Sequence, residues 1–334
     1  MSDVKIISIK SLDDIEHTLK ICNHLISYKD CDCLVTDFSS IEYVTPIAAA
    51  LFARELRTIV AFRHSRGYKT IAKGCECDNR VISYLKFIGF FDFIGLRGIG
   101  YPLRSKVTKR GTYIPITKYS YLRFKPDSDM REPVAPVDLI KPEAAEISCL
   151  FTTNSSPHNS LAYIISEIIR NAYEHSRSDY FFVFGQYWKS GAVELVFLDD
   201  GIGILDTLKK KYPLLKNQED AILKSLQAGV SGASFDDGLN KYNNSGFGLY
   251  VVSTLAKKHG SFFISSNDTA ISLGKYNCAT YGLLSHGTLV CIRLDNIWDI
   301  DYDSEFSEII QEGAILSSQG EYPISPSKQT WSFS

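Results

Sequence analysis

No stretch of this sequence stays apolar long enough to cross a membrane. Its longest apolar runs, such as Ile47 to Phe52 and Tyr180 to Phe184, fall far short of the ~20 residues a spanning helix needs. No secretory leader opens the chain, so a cytoplasmic protein is expected. Net charge is nearly absent too. The 36 Lys and Arg against 38 Asp and Glu leave −2, which removes the global electrostatic case for nucleic-acid binding. Internal repeats and low-complexity segments are also lacking. The eight cysteines come without secretory features and read as reduced thiols rather than disulfides. Two Cys-x-Cys pairs, Cys31/Cys33 and Cys75/Cys77, could meet around a tetrahedral zinc. Their spacing departs from the usual knuckle and no histidine stands beside them, so core or strand-end cysteines are expected.

What remains is the composition of an ordinary globular protein, 45% apolar and 22% charged. The 334 residues suggest two domains at ~100–200 residues each. One local charge bias survives: Arg97 to Lys125 holds eight Lys or Arg and no Asp or Glu, interleaved with Tyr101, Tyr113, Tyr119 and Tyr121. It reads as a solvated connector, with a phosphate or acidic-partner patch as the alternative.

Along the chain, residues 4–9 read as a strand, Leu12 to Tyr28 as a helix and Cys33 to Phe38 as a buried strand. A helix from Pro46 to Phe62 follows, with proline well placed in its first turn. Tyr68 to Lys73 reads as a strand and Val81 to Phe87 as a short helix ending near Gly89. This order, with the runs LVTDFSSIEYVTPIAAALFARELR and VISYLKFIGFFDFIGL, resembles the STAS domain of anti-sigma-factor antagonists over residues 1–96. The position of that family's phosphorylated serine falls on Ile47, which cannot accept phosphate. The resemblance therefore implies a docking or sensing module, unless Thr45 substitutes. Residues 97–150 read as a connector, since four prolines between Pro126 and Pro142 break regular elements. In the tail, residues 297–334, the run SEFSEIIQEGAIL can form one amphipathic helix for a partner.

Four elements of the second half carry chemistry. The helix Asn159 to Ser176 buries Leu161, Ile164, Ile165, Ile168 and Ile169 on one face. On an adjoining face Glu167, Asn171 and His175 stack at four-residue intervals, letting a carboxylate and an amide oxygen address one phosphate and its magnesium. By itself this is also the pattern of an exposed polar stripe. A strand, Val193 to Leu198, then runs into Asp199-Asp200-Gly201-Ile202-Gly203. That delivers a carboxylate beside backbone a flat base can approach. Next, Asn244-Ser245-Gly246-Phe247-Gly248-Leu249 precedes an apolar-periodic helix through His259, a phosphate cradle at a helix N-terminus. Finally Gly287-Thr288 opens a strand to Leu294, where a threonine hydroxyl can support the base contact.

In this order the four resemble the boxes of the GHKL ATP-binding superfamily: Glu167-x3-Asn171-Ala172, Asp199-x-Gly201-x-Gly203, Gly246-Phe247-Gly248-Leu249, and Gly287-Thr288. The resemblance implies an α/β sandwich over residues 151–296, with a mixed sheet covered on one side by helices. It implies ATP and magnesium as ligands, Asn171 as the metal ligand, Asp199 as the adenine reader, Gly246 and Gly248 on the phosphates, and residues 205–245 as a mobile lid. Glu167 matches the general base of the gyrase, Hsp90 and MutL types and of the anti-sigma serine kinases. The run Asn-Ala-Tyr-Glu-His resembles that last branch most. No phospho-accepting histidine motif and no P-loop are present. The expectation is a regulatory ATPase whose lid closure controls partner binding, with a serine/threonine kinase acting on a STAS-type partner and a nonenzymatic ATP-sensing scaffold as alternatives. The expected partners are ATP and a protein docking through the STAS-like domain. Homodimerisation stays open, and neither a membrane nor a nucleic acid is expected.

Overall fold

The computed structural model describes residues 3–108, 112–125, 134–232 and 245–319. Among them no helix is long and apolar enough to cross a membrane. The fold is mixed α/β and divides into two compact units. The first comprises residues 1–118 with 183–186 and 283–285, and the second comprises 119–182, 187–282 and 286–334.

The first unit opens with β1 (Val4–Ser8) and a short β2 (Ser11–Leu12), then α1 (Ile15–Ser27). Leu12 was expected inside that helix, but Asp14 starts it later, its carboxylate accepting the His17 N–H. Strands β3 (Cys33–Asp37) and β4 (Tyr43–Val44), helix α2 (Pro46–Ser65), strand β5 (Lys69–Lys73) and helices α3 (Arg80–Ile88) and α4 (Phe90–Phe93) follow. Strands β1, β3 and β5 form one parallel sheet, in that order. Helical crossovers between them are what parallel neighbours require. Thr45 caps α2 and Pro46 occupies its first turn, while α3 ends on Gly89 at φ 82°. Phe38 sits among Phe52, Phe90 and Phe91, with ring centroids 5.7–6.0 Å away.

Two buried charges organise this unit. Arg63, fully buried at the end of α2, donates to the carbonyls of Tyr28, Lys29, Cys31 and Lys69, tying α2 to the approaches of β3 and β5. Glu55, also fully buried, accepts the backbone N–H groups of Leu284 at 2.9 Å and Ser285 at 3.3 Å. All eight cysteines are free; Cys31 and Cys75 are buried, and burial pushes the Cys75 thiol up to about 11. Among the described residues no group of three or more His, Cys, Asp or Glu side chains is placed to hold a metal.

The connector read between the two halves is not featureless. It contains β6 (Tyr113–Ser120), a short 3-10 turn, and α5 (Pro136–Cys149). Pro136 lies in the first turn of α5, where no N–H is needed, and only Pro142 stands inside the helix. Four prolines therefore do not preclude a helix here. Residues 126–133, including Pro126 and Pro133, lie outside the described residues.

The rest of the chain forms α6 (Ser155–His175), β7 (Tyr180–Tyr187), β8 (Val193–Asp199), α7 (Ile204–Leu208), α8 (Gln218–Ser225), α9 (Gly248–His259), β9 (Gly260–Ser266), β10 (Thr269–Gly274), β11 (Cys278–Gly282), β12 (Thr288–Leu294) and α10 (Tyr302–Ser318). The tail read as one amphipathic helix is α10. A seven-stranded sheet runs β11-β10-β9-β12-β8-β7-β6. Its registered pairs are antiparallel, with Thr288 opposite Asp199 on β8 and opposite Ser266 on β9. Helices α6 and α9 pack on each other and on β8, β9 and β12. Lys258 at the end of α9 grips Glu305 and Glu308 of α10 at 2.7 and 2.9 Å.

Candidate functional site

A cavity of about 110 Å3, partly open to solvent, lies within the second unit. Its walls come from α6, β7, β8, α7, the end of α8, the residues after it, the start of α9, and β9 and β12. Of the residues singled out in sequence, Asn171, Asp199, Gly203, Gly246, Gly248, Leu249 and Thr288 line it, with His175 beside them. Glu167, Gly201 and Phe247 do not.

Strand β8 delivers Asp199 because its seven residues are all buried and the chain must turn at the sheet's end. The carboxylate, 4% exposed, accepts the N–H of Gly201 at 2.8 Å and that of Thr288 at 3.4 Å. Those two bonds tie the turn after β8 to the start of β12. Glycine is required at both flanks. Gly203 sits at φ 83° against Asn267, and Gly287 sits at φ 84°, where a Cβ would strike the Asp199 carbonyl. Gly201 has a packing role: a Cβ there would meet the Ser176 carbonyl at the end of α6. The turn is closed by Ile202, whose N–H reaches that same carbonyl.

Helix α6 turns Asn171 into the cavity, and the side-chain nitrogen is buried with no hydrogen-bond partner among the described residues. A buried amide donor left unmade costs ~1–3 kcal/mol, so this group is suited to an incoming ligand. One turn on, burial and the nearby Arg170 charge hold His175 down to about 4. Its 3.8 Å approach to Glu174 is thus that of a neutral ring, not of an ion pair.

Gly246, at φ 70°, passes close to the Val230 carbonyl. Among the described residues no side chain caps the N-terminus of α9, where first-turn N–H groups suit an anionic ligand. Phe247 is fully buried and meets Tyr250 edge-on at 6.4 Å, so its role is to seat the turn. Gly248 is where cavity and Glu167 meet, since a Cβ there would overlap a Glu167 carboxylate oxygen. Glu167, 6% exposed, lies behind that glycine with Arg170 at 2.9 Å. Burial pushes the Glu167 carboxyl above its ordinary value, opposed by the Arg170 and Lys141 charges.

Sequence reasoning missed the apolar plate of Ile168, Phe181, Phe197, Ile264 and Val290, and the polar Thr207, Ser225 and Ser231. The plate was readable as the inward positions of five elements. Thr207 was not, because its hydroxyl is set by the carbonyls of Gly203 and His175 at 2.9 and 3.3 Å. The segment expected as a mobile lid carries α7 and α8 in its first part. Gln218 accepts from Ser266 at 2.9 Å, and Ser266 in turn accepts the Ile204 N–H at 2.8 Å. Residues 233–244 of that segment, with Gly238, lie outside the described residues.

The donor set fits a nucleotide in kind: a buried carboxylate acceptor for a base, a carboxamide whose nitrogen has no hydrogen-bond partner among the described residues, and glycines opening backbone N–H groups at a helix start. Comparison with protein-family models, curated proteins and solved structures finds no match to this chain.

Proposed function

We propose that this chain is a regulatory ATP-binding protein of the GHKL type that binds Mg-ATP in the cavity of its second unit. The observation that carries the reading is convergence. Asn171, Asp199, Gly203, Gly246, Gly248 and Thr288 come from four separated stretches of sequence and line one cavity. In this reading Asp199 accepts the adenine amino hydrogens, and Asn171 presents its amide oxygen to magnesium. Gly246, Gly248 and Leu249 offer N–H groups to phosphate. The metal would neutralise phosphate charge, while the chain's own residues orient the nucleotide and exclude water. Nucleotide occupancy is felt by α7 and α8, which supply Thr207 and Ser225 to the wall. The N-terminal unit, proposed as a STAS-like docking module, takes that state to a protein partner.

Calorimetric titration of the full chain with ATP, with and without magnesium, tests the reading. Saturable, magnesium-strengthened binding is expected, and no heat of binding at millimolar ATP refutes it. A second reading, an ATP sensor without hydrolysis, is favoured by one observation: Glu167 is engaged by Arg170 and does not line the cavity. Glu167→Gln separates the two. An ATPase or kinase loses turnover, by ~10²–10⁴ where the carboxylate is the base, with ATP affinity kept. A sensor keeps affinity and has no turnover to lose.

A further inference from the structure

The segment read in sequence as a connector backs the wall of the cavity. Tyr121 opens the 3-10 turn Tyr121–Phe124, and its backbone N–H is pinned to the Asp179 carbonyl at 3.0 Å, in the loop between α6 and β7. Its ring stacks on Phe181 with centroids 5.1 Å apart and meets Tyr173 of α6 edge-on at 5.9 Å. Tyr119 and Phe124 back Phe181 as well, at 5.1 and 6.2 Å. Phe181 belongs to the apolar plate of the cavity; Tyr121 itself does not line it.

Packing explains the ring but not the hydroxyl. That group is buried and makes no well-formed hydrogen bond among the described residues, whereas a buried tyrosine hydroxyl ordinarily finds a partner. It stands beside the Ser176 hydroxyl and in the field of the Asp199 carboxylate: burial and the Asp199 charge push the phenol well above its ordinary value, and the Ser176 hydroxyl opposes them. The phenol therefore keeps its proton and serves as a donor.

Ser176 joins that donor to the site. It lines the cavity, its carbonyl holds the Ile202 N–H at 2.9 Å, and a Cβ on Gly201 would strike the same carbonyl. The turn so held is the one whose Gly201 N–H is fastened to Asp199. The Ser176 hydroxyl accepts the Ser178 N–H at 3.1 Å and keeps a second lone pair for the phenol. A shift of Ser176 is thus a shift of the turn that carries Asp199.

We propose that Tyr121 is a positioning residue of the nucleotide site: its hydroxyl closes onto Ser176 when a purine seats in the cavity, and so fixes the turn that presents Asp199. This rests on the reading that Asp199 accepts the adenine amino hydrogens. Tyr121 does not touch the nucleotide; it sets how sharply Asp199 tells adenine from a 6-oxopurine.

The test titrates the full-length chain with ATP and GTP by calorimetry, with urea unfolding alongside. Tyr121→Phe keeps the stacked ring and removes only the hydroxyl. The Kd for ATP is expected to rise about three- to tenfold, the worth of one hydrogen bond. The Kd for GTP changes less, so the preference for adenine narrows, while stability stays that of wild type. In an Asp199→Asn background the same substitution changes neither affinity, because the two residues act through one turn. Ser176→Ala breaks the link from the other side, narrows the preference in the same way, and serves where Tyr121→Phe folds poorly. Unchanged ATP affinity in Tyr121→Phe overturns the proposal. So do equal losses for ATP and GTP, or a loss that adds in full to that of Asp199→Asn, both being marks of a structural hydroxyl. In each of these outcomes the wild-type chain binds ATP; absence of that binding defeats the nucleotide reading itself, and this proposal with it.

Discussion

Asp199→Asn is the sharpest perturbation the cavity offers. One carboxylate oxygen already accepts the N–H groups of Gly201 and Thr288, at 2.8 and 3.4 Å. An asparagine must keep its carbonyl oxygen toward those donors, because the flipped amide would set N–H against N–H. Its NH2 group then takes the place of the other carboxylate oxygen. An adenine amino group arriving there meets a donor instead of an acceptor. A buried hydrogen bond left unmade costs ~1–3 kcal/mol, which is ~5–150-fold in Kd. The two structural bonds survive, so the melting temperature should barely change. The substitution should also act on the base itself. A 6-oxopurine presents an acceptor where adenine presents a donor, so GTP should lose less than ATP, or gain. The assay is calorimetric titration of both chains with ATP and GTP, alongside thermal melting. Unchanged ATP affinity, or equal losses for ATP and GTP, would refute the reasoning.

Asn171→Ala should weaken ATP binding in magnesium and leave it unchanged in EDTA; equal loss in both marks Asn171 as structural. Gly248→Ala inserts a methyl group into the space of the Glu167 carboxylate and should cost ~1–3 kcal/mol of stability as overpacking, measurable by urea unfolding. Unaltered stability would mean Glu167 moves aside freely. His175 is held down to about 4, below the ~6.5 of an unfolded histidine. The folded state therefore resists a proton the unfolded chain accepts. Its contribution is complete above pH ~6.5 and falls by ~1.4 kcal/mol per unit as the pH drops toward 4. His175→Gln should flatten that acid limb in chemical denaturation, and a limb as steep as wild type contradicts the assignment.

Much of the scaffold was legible because its elements are long and strongly periodic. The helix read from Asn159 to Ser176 is α6, Ser155–His175, and the strand read from Val193 to Leu198 is β8, Val193–Asp199. Buried apolar faces fix both, independent of distant contacts. Helices α7 and α8 were hidden because their short pieces depend on Gln218 reaching Ser266 across the fold. Strand β6 was read as connector because the basic residues and glycine around it, and Pro115 within it, dominate the local pattern. At the cavity, glycine spacing identified positions where backbone must approach, and the structure brings Gly203, Gly246 and Gly248 to one cavity. Spacing said nothing about which charges pair. Glu167 and Asn171 share a helical face, yet Arg170, between them in sequence, draws Glu167 away from the cavity.

That pairing bears on what the protein can be. Separating a buried ion pair costs ~3–5 kcal/mol, so an unassisted Glu167 would stand free in only ~10⁻²–10⁻⁴ of molecules. A base available that rarely slows its reaction by the same factor, whether the acceptor is water or a serine hydroxyl. Fast turnover is then incompatible with the resting geometry, unless nucleotide binding itself supplies the separation energy. Slow turnover suits a chain whose output is its bound state, because ATP must persist long enough for a partner to respond. On the proposed reading, the Arg170–Glu167 pair favours a regulatory nucleotide switch over an ATP-driven machine, with the restraint on turnover lying on α6, one helical turn from the carboxylate it holds.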